Sequence, residues 1–523
     1  MPQFKHFWLV GLIVILSLVY RCSGLRSAPP FWVDEFATAS QARLILKHGP
    51  AVFFQSVDHL EYHNITTHAL TALSFQIFGQ TETAARLPSL IFGSLVPVLV
   101  FLLAKRLFKS NIIALSAGLL TALSYFQITW SLQARSYSLQ QCLLLATLLV
   151  YLKLGQTKSK MNTALLLVLI LLGLLTHTTY WLVIVALALH FLLFHWRRLN
   201  QAVKQPWLWL LFPILGLSLI ISGSWHNILD LLLGLIKNGL VNNIWYYHSF
   251  LWRQYGLISF LGFFGWLAYW FKNKSSASLI WILLLYYLGF VCFGFAPYVS
   301  RYLLPIFPIL LMGTAYSLGK MAQMLPLPQS PVKKWLPLIL TLAVIINGHK
   351  FVIKPQAYYS LNHDMREIAV VDYDQVYRII RTKIATTHQP VAVIETWAPR
   401  ALWYLGQDYQ PLYWFRWINE KGSINGIGKA TQYDLNSGGE KVIPKSGSVP
   451  IGFVGELSDL LAILDKYNQG FIWIDDTSRP KEVIQYAQDH FTKELELTAY
   501  PLEAIENPYS VWPGSLYSWG FEQ

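Results

Sequence analysis

Along the first 350 or so residues, apolar runs of about membrane-spanning length follow one another, and Lys and Arg gather in every second gap between them. A bilayer core about 30 Å thick needs about 20 apolar residues per helix. It also requires each backbone N–H and C=O inside it to be satisfied within the protein. That alternation leaves one broad class open, a bundle of spanning helices. Composition agrees. Only 13% of residues are charged, against about 25% in soluble proteins, and the mean hydropathy is +0.41. The 21 Trp, 28 Tyr and 30 Phe suit membrane interfaces, where an amphipathic ring meets both phases.

The runs predict about eleven spans, at roughly 6–21, 86–105, 111–129, 138–154, 162–176, 179–196, 207–223, 254–271, 278–295, 302–320 and 335–349. A shorter segment at 66–79 reads as re-entrant or interfacial. Lys5 precedes the first span. Basic clusters then fall at Lys105/Arg106/Lys109, Lys153/Lys158/Lys160, Arg197/Arg198/Lys204, Lys272/Lys274 and Lys320/Lys333/Lys334. Basic loops stay cytoplasmic, so the N-terminus is expected inside. The loop 22–85, the connections near 130, 177, 225–250 and 297, and the tail beyond about 350 are expected outside. The first run resembles a signal peptide in its charge and length, but RCSGLRSAPP offers no A-x-A-like cleavage site, so it reads as an uncleaved span.

Topology also accounts for the net charge of +13. The basic residues mark cytoplasmic loops rather than one nucleic-acid-binding face, so no nucleic-acid partner is expected. The three cysteines, Cys22, Cys142 and Cys292, form no CxxC pair and no zinc spacing.

The tail changes character. DMREIAVVDYDQVYRIIRTKI has an amphipathic helical pattern, VAVIE and FIWIDD read as strands, and LSDLLAILDKY and PKEVIQYAQDHF as helices. Alternating strands and helices predict a small α/β domain. No GxGxxG or P-loop occurs in it. The Gly/Ser/Lys-rich segment 421–450 reads as a loop. The expected division is therefore a transmembrane domain over 1–350, with its first outer loop at 22–85, and an extracytoplasmic α/β domain over 351–523.

Residues able to do chemistry crowd the expected outer face. Asp34 and Glu35 follow the first span. A carboxylate there can remove a proton from an attacking hydroxyl, and a paired acid can share a metal or shift its neighbour's pKa. Equally, two acids suit the first turn of a helix running FATASQARLILKHG. His59, Glu61, His63 and His68 could ligate a divalent metal, although their spacing matches no tight motif. Glu61 and His68 also stand as substrate contacts. Arg86 opens the second span, and Arg135 with Tyr137 lies in SLQARSYSLQ. Tyr298, Arg301 and Tyr302 start a late span in APYVSRYLLPIFP. Each Arg could be an interfacial anchor. Yet a guanidinium beside a helix start also makes a good phosphate site. The segment 225–250 reads as an outer interfacial helix, with His226 and His248 as weaker candidates. An acid pair and several Arg/Tyr groups on one face point to chemistry on an anionic, lipid-borne molecule.

Four stretches resemble those of a known group: VDEFATASQARLILKHG, HALTALSFQIFGQTETAARLPSLIFG, QARSYSLQ and RYLLPIFPILLMG. They are similar to the protein O-mannosyltransferase-like glycosyltransferases (family 39), which include the bacterial aminoarabinose lipid A transferases. The resemblance implies a GT-C fold and a polyprenyl-phosphate-linked sugar as donor. It implies a lipid, glycan or protein hydroxyl as acceptor. Asp34 matches the family's catalytic acid and would act as base, with Glu35 assisting; Arg135 and Arg301 would hold the departing phosphate. Many relatives carry a Pro-Pro pair in the first loop where this chain has HNITTHAL, with His68 nearest. The implied location is a bacterial inner membrane. A transporter or flippase of lipid-linked glycans is the alternative; such proteins show inverted repeats, and none is evident here. A non-catalytic membrane scaffold is a third reading.

Overall fold

The computed structural model describes residues 7–26, 33–49, 64–155, 159–195, 239–294, 299–326, 330–348, 372–396, 398–406, 409–415, 451–475, 480–497 and 514–521, with a few shorter pieces between them. The chain falls into two compact units. One comprises residues 1–28 and 61–364, the other 29–60 and 365–523.

The first unit is helical. Among the described residues, five helical stretches are long and apolar enough to cross a membrane: Trp8–Leu25, Glu82–Phe108, Tyr137–Leu154, Thr178–His195 and Lys274–Gly294. Two shorter apolar helices, Asn111–Leu123 and Lys160–Thr176, join them. Helices also occupy Gly256–Lys272, Phe307–Met324 and Pro331–Asn347. The protein is thus an integral membrane protein; of the eleven expected spans, five are long and apolar enough to cross a membrane among the described residues. The span expected at 207–223 lies outside the described residues. The span expected at 111–129 is broken: Ser124 is extended, and a short helix, Tyr125–Ser131, follows it. The segment 66–79 is a helix, Ile65–Phe78, about 21 Å long.

The break at Ser124 has a cause. After the helix Pro331–Asn347 the chain returns to it. Tyr125 N–H donates to Lys350 O at 3.0 Å, and Val352 N–H donates to Leu123 O at 2.8 Å. The backbone groups that the break releases are paired by that returning chain, as a low-dielectric setting demands.

The helix Glu82–Phe108 anchors the bundle. The Thr81 side chain caps its start by accepting from Ala84 N–H at 3.1 Å. Glu82 lies in its first turn and Lys105 and Arg106 in its last, the charge order that the helix dipole favours. It packs against Phe7–Arg26, Ile65–Phe78, Asn111–Leu123 and Tyr137–Leu154.

Small residues set the closest approach in the bundle. A Cβ on Gly265 would lie 1.9 Å from Gly313 O, and one on Gly313 would lie 2.2 Å from Gly262 O. Across this seam Thr314 Oγ1 donates to Ile258 O at 3.0 Å and Ser317 Oγ to Leu261 O at 2.7 Å. Membrane helices associate through such small-residue contacts, because lipid supplies no hydrophobic drive.

The second unit is an α/β domain, as the tail pattern predicted. Its strands are β1 (Val391–Glu395), β2 (Leu412–Phe415), β3 (Asp434–Leu435), β4 (Lys441–Ile443), β5 (Ile451–Val454), β6 (Gln469–Ile474), β7 (Thr492–Leu497) and β8 (Gly514–Trp519). They form one sheet in the order β3-β4-β5-β2-β1-β6-β8-β7. The pairs β5/β2, β2/β1 and β1/β6 are parallel, and the outer pairs are antiparallel. Helices Tyr373–Ala385, Ala398–Leu405, Leu457–Lys466 and Lys481–His490 accompany the sheet. β1, β2 and β5 are buried throughout, and β6 in all but its first residue. Parallel strands covered on both faces read this way. The segment 421–450, expected as loop, contains the short strands β3 and β4. Strands of two or three residues carry no alternation to detect, and pairing to β5 defines them.

Gly265→Val would force the two helices apart. The expected cost is about 1–3 kcal/mol, read as a lower midpoint in a thermal solubility assay in detergent; Gly265→Ala is expected to cost less.

Candidate active site

Within the first unit, residues from four chain segments converge at one end of the bundle. Trp130 closes the short helix Tyr125–Ser131, a turn carrying Arg135 follows, and Tyr137 begins the next helix. The Arg301 guanidinium lies 5.9 Å from the centre of the Trp130 ring and 6.0 Å from that of Tyr302. Trp130 meets Tyr137 edge to face, with ring centroids 5.4 Å apart. Tyr137 meets His177 at 5.5 Å. Gln141 Nε2 donates to Leu304 O, tying the helix of Tyr137 to the turn after Arg301. Ser89 Oγ donates to Arg135 O at 2.8 Å, bringing the start of the Glu82–Phe108 helix to the same turn.

Of the residues singled out in the sequence, this unit brings Arg135, Tyr137, Arg301 and Tyr302 to one place. Arg86 is buried one turn before Ser89. His68 is fully buried in the helix Ile65–Phe78, which is joined to the Arg86 helix by a 2.5 Å bond from Ser74 Oγ to Ala84 O. Glu61 and Tyr298 lie outside the described residues, as do His59, His63 and His226. His248 sits in a short helix, Ile244–Ser249, 6.4 Å from Trp252. Among the described residues no group of three or more His, Cys, Asp or Glu is placed to hold a metal ion.

Sequence reasoning missed a polar chain behind Tyr137. Gln140 Nε2 donates to Thr179 Oγ1 at 2.8 Å, and Thr179 Oγ1 lies 2.8 Å from His177 Nδ1. Thr179 N–H also donates to that nitrogen at 3.2 Å. Nδ1 is therefore an acceptor, and a neutral His177 carries its proton on Nε2. The signal was available in HTTY at 177–180, a polar interruption at a span end. Arg21 was missed too. It is fully buried, and its Nη1 donates to Ser17 Oγ at 2.7 Å and Ala122 O at 3.4 Å.

The acid pair belongs to the second unit. Asp34 and Glu35 open the helix Val33–His48, which ends in Lys47 and His48. The structure thus places the pair in the first turn of a helix, where acids suit the positive end of the helix dipole. Glu35 is fully buried and Asp34 half-buried. Phe36, Ala39 and Ala42 form the buried face, at the spacing one helix side requires.

That face packs on the helix Ala398–Leu405. Phe31 meets Trp403 at 5.0 Å and Phe36 meets Tyr404 at 6.1 Å. The Arg43 guanidinium stacks 3.8 Å over the Trp403 ring, and its Nη1 donates to Leu402 O at 3.2 Å. Burial lowers this guanidinium to about 10, which leaves it charged near neutral pH.

The supporting helix is itself fixed by a buried charge network. Arg400 forms a two-pronged pair with Glu395, with Nη2 to Oε2 at 2.8 Å, and reaches Asp475 Oδ2 at 3.0 Å. Tyr377 OH donates to Glu395 Oε1 at 2.7 Å, Thr396 Oγ1 donates to Asp475 Oδ1 at 2.6 Å, and Arg400 stacks 3.9 Å over Tyr373. Glu395 ends β1 and Asp475 follows β6. Connections from β1 run to β2 and β5 on one side, whereas β6 lies on the other. The network thus fills the crevice at the strand carboxyl ends, where open α/β sheets reverse direction. Here Arg400 occupies it with internal partners. Burial would raise the Asp475 carboxyl, but Arg400 and hydrogen bonds from Thr396 and Trp473 outweigh it and hold the carboxyl below its ordinary value.

The sequence profile of the dolichyl-phosphate-mannose-protein mannosyltransferase family matches residues 63–225. ArnT from Cupriavidus metallidurans in the apo state aligns with a TM-score of 0.57 at 13% identity, covering 98% of this chain and 97% of that one. The chain has the GT-C fold. The same ArnT bound to undecaprenyl phosphate aligns with a TM-score of 0.52 at 13% identity, over 98% of each chain. No curated protein matches in sequence. The GT-C likeness thus spans both units, whereas the family profile takes in His68, Arg86, Arg135 and Tyr137 but not Asp34 or Arg301.

Two outcomes test the second unit. Arg43→Ala is expected to speed amide hydrogen exchange in residues 33–48 while leaving the helix Tyr373–Ala385 unchanged. A carboxylate held below its ordinary value stabilises the fold above about pH 4, and that stability is lost as pH falls through the folded value. Tryptophan fluorescence during acid titration should therefore report unfolding of this unit. Asp475→Asn should flatten that dependence, and Arg400→Ala should cost about 3–5 kcal/mol by stranding buried acids.

Proposed function

We propose that the protein is a glycosyltransferase that moves a sugar from a polyprenyl phosphate to a hydroxyl on a lipid, glycan or protein. The reading assigns the reaction to the outer face of a bacterial inner membrane. It treats 1–350 as the transmembrane catalytic domain with its first outer loop at 22–85, and 351–523 as an extracytoplasmic α/β domain. The observation that carries it is the gathering of Arg135, Tyr137, Trp130 and Arg301 at one end of a GT-C bundle. ArnT, with the same fold, has been captured with undecaprenyl phosphate.

The chemistry follows from charge. Cleaving the sugar–phosphate bond turns a phosphodiester into a phosphomonoester, and negative charge grows on the departing oxygen. Fixed guanidinium donors at a low-dielectric boundary stabilise that charge more than water does. In this reading Arg135 and Arg301 take that role, with Tyr137, Tyr298 and Tyr302 as hydroxyl donors. Arg86 and His68 shape the neighbouring wall, and Glu61 contacts the acceptor. Asp34 removes the acceptor proton as the oxygen attacks the anomeric carbon, and Glu35 orients it. A general base contributes about 10²–10⁴ in rate. A divalent metal near His59–His68 is compatible with this scheme, and no step depends on it.

The test is a transfer assay in liposomes, with radiolabelled polyprenyl-phosphate sugars as donors and total lipid extract as acceptor. Wild type is expected to move label to a new product. Asp34→Asn should lower the rate at least ~100-fold, and Arg301→Ala about 100-fold, with both variants folded. Undiminished transfer by Asp34→Asn would remove that residue as the base.

A further inference from the structure

The helix Glu82–Phe108 has 27 residues, so its ends lie about 40 Å apart. Its first turns meet the Arg135 turn; its last turn borders a cavity of about 460 Å³. Two other helices run between the same ends. Tyr137–Leu154 passes from Tyr137 to the cavity residue Tyr151, and Trp181–His195 passes from the His177 turn to His190 and His195. The cavity is thus a second site, one full span from the cluster described above. It is within the range of about 300–1,000 Å³ typical of small-ligand pockets.

Its chemistry is one-sided. Arg106, Lys109, His190 and His195 line it, and no carboxylate does so among the described residues. Arg106 is anchored there, with Nη2 donating to Leu152 O at 2.9 Å. His190 is fixed at both nitrogens: Nδ1 lies 2.8 Å from Tyr151 OH and Nε2 lies 2.9 Å from Ser275 O. A carbonyl can only accept, so Nε2 carries a proton towards Ser275. The helix Lys274–Gly289 also begins at the cavity, with Asn273 accepting from Ser276 N–H at 3.1 Å. Its positive end adds to the field.

The rim supplies the second half of the argument. Leu152, Leu166 and Phe191 give the cavity apolar walls. Beside them the helices Lys160–Thr176 and Trp181–His195 expose Leu165, Val168, Leu192 and Leu193. A cationic floor opening onto an apolar, outward-facing rim matches a molecule with an anionic head and acyl chains. A soluble anion would have no use for the rim. Basic pockets between spans on the cytoplasmic side bind anionic head groups on these terms.

We infer that this cavity is a binding site for an anionic phospholipid of the cytoplasmic leaflet, whose phosphate is held by Arg106 and Lys109 while its acyl chains lie along the exposed leucines. The shared chemistry with free phosphate is the oxyanion; the rim assigns the lipid. The site is independent of the proposed transfer reaction.

Native mass spectrometry of the full chain, released from nanodiscs of phosphatidylglycerol and phosphatidylcholine, tests it. Wild type should retain phosphatidylglycerol in preference to phosphatidylcholine. Arg106→Gln/Lys109→Ala should lower that retention about thirtyfold, the loss of two basic contacts, and Arg106→Lys should largely preserve it. Because Arg106 also holds Leu152, each variant's Tm is measured in detergent with phosphatidylglycerol or inorganic phosphate added. Phosphatidylglycerol should raise the wild-type Tm more than that of the double variant, as binding to the folded state requires. Equal retention by wild type and a folded double variant would overturn the inference. So would a Tm increase with inorganic phosphate and none with phosphatidylglycerol.

Discussion

The low dielectric of the bilayer decides where this protein can keep a charge. A charged side chain at the membrane centre costs at least about 2.5–3.5 kcal/mol, and the helix Glu82–Phe108 shows the response. Between Arg86 and Lys105 it carries no charged residue, and the charges it does carry sit in its end turns. The same rule sorts polar and aromatic groups of the first unit into two sets. Trp130, Arg135, Tyr137 and Arg301 gather at one end; Arg106, Lys109, His190 and His195 gather at the other. The helices Glu82–Phe108 and Tyr137–Leu154 run from one set to the other, so helix length fixes the spacing of the ends.

Tight seams keep that spacing. Where Gly262 and Gly265 meet Gly313, backbone touches backbone, and Thr314 and Ser317 add hydrogen bonds across the gap. Buried polar groups elsewhere in the bundle are treated the same way. Gln140, Thr179 and His177 satisfy one another, and the strand-like contact between Leu123–Tyr125 and Lys350–Val352 closes the break at Ser124.

The spans were legible because a membrane tolerates few alternatives: long apolar runs and basic gaps follow from solvation alone. Arg135, Tyr137, Arg301 and Tyr302 stand out in the sequence because the expected outer face is poor in arginine, and the first unit brings these four together. Strands β1 and β6 were visible as apolar runs of β-formers. Other features were hidden by their physics. β3 and β4 exist only by pairing with β5. The network of Arg400, Glu395 and Asp475 joins residues up to 80 positions apart, and such pairing leaves no periodic trace. Nor does spacing show that a first-loop helix packs on a helix near residue 400, although Phe36, Ala39 and Ala42 do mark one apolar side.

That last contact has a consequence for how the molecule is made. Arg43 meets Leu402 across 359 positions of chain. During synthesis the helix of Asp34 and Glu35 emerges early, but the surface it packs on emerges only after nearly all the spans have been made. Until then Phe31, Phe36, Ala39 and Ala42 lack the helix Ala398–Leu405 that this face packs on. The helix of Asp34 and Glu35 is therefore translated early and ordered late, and an incomplete chain would carry it without its scaffold.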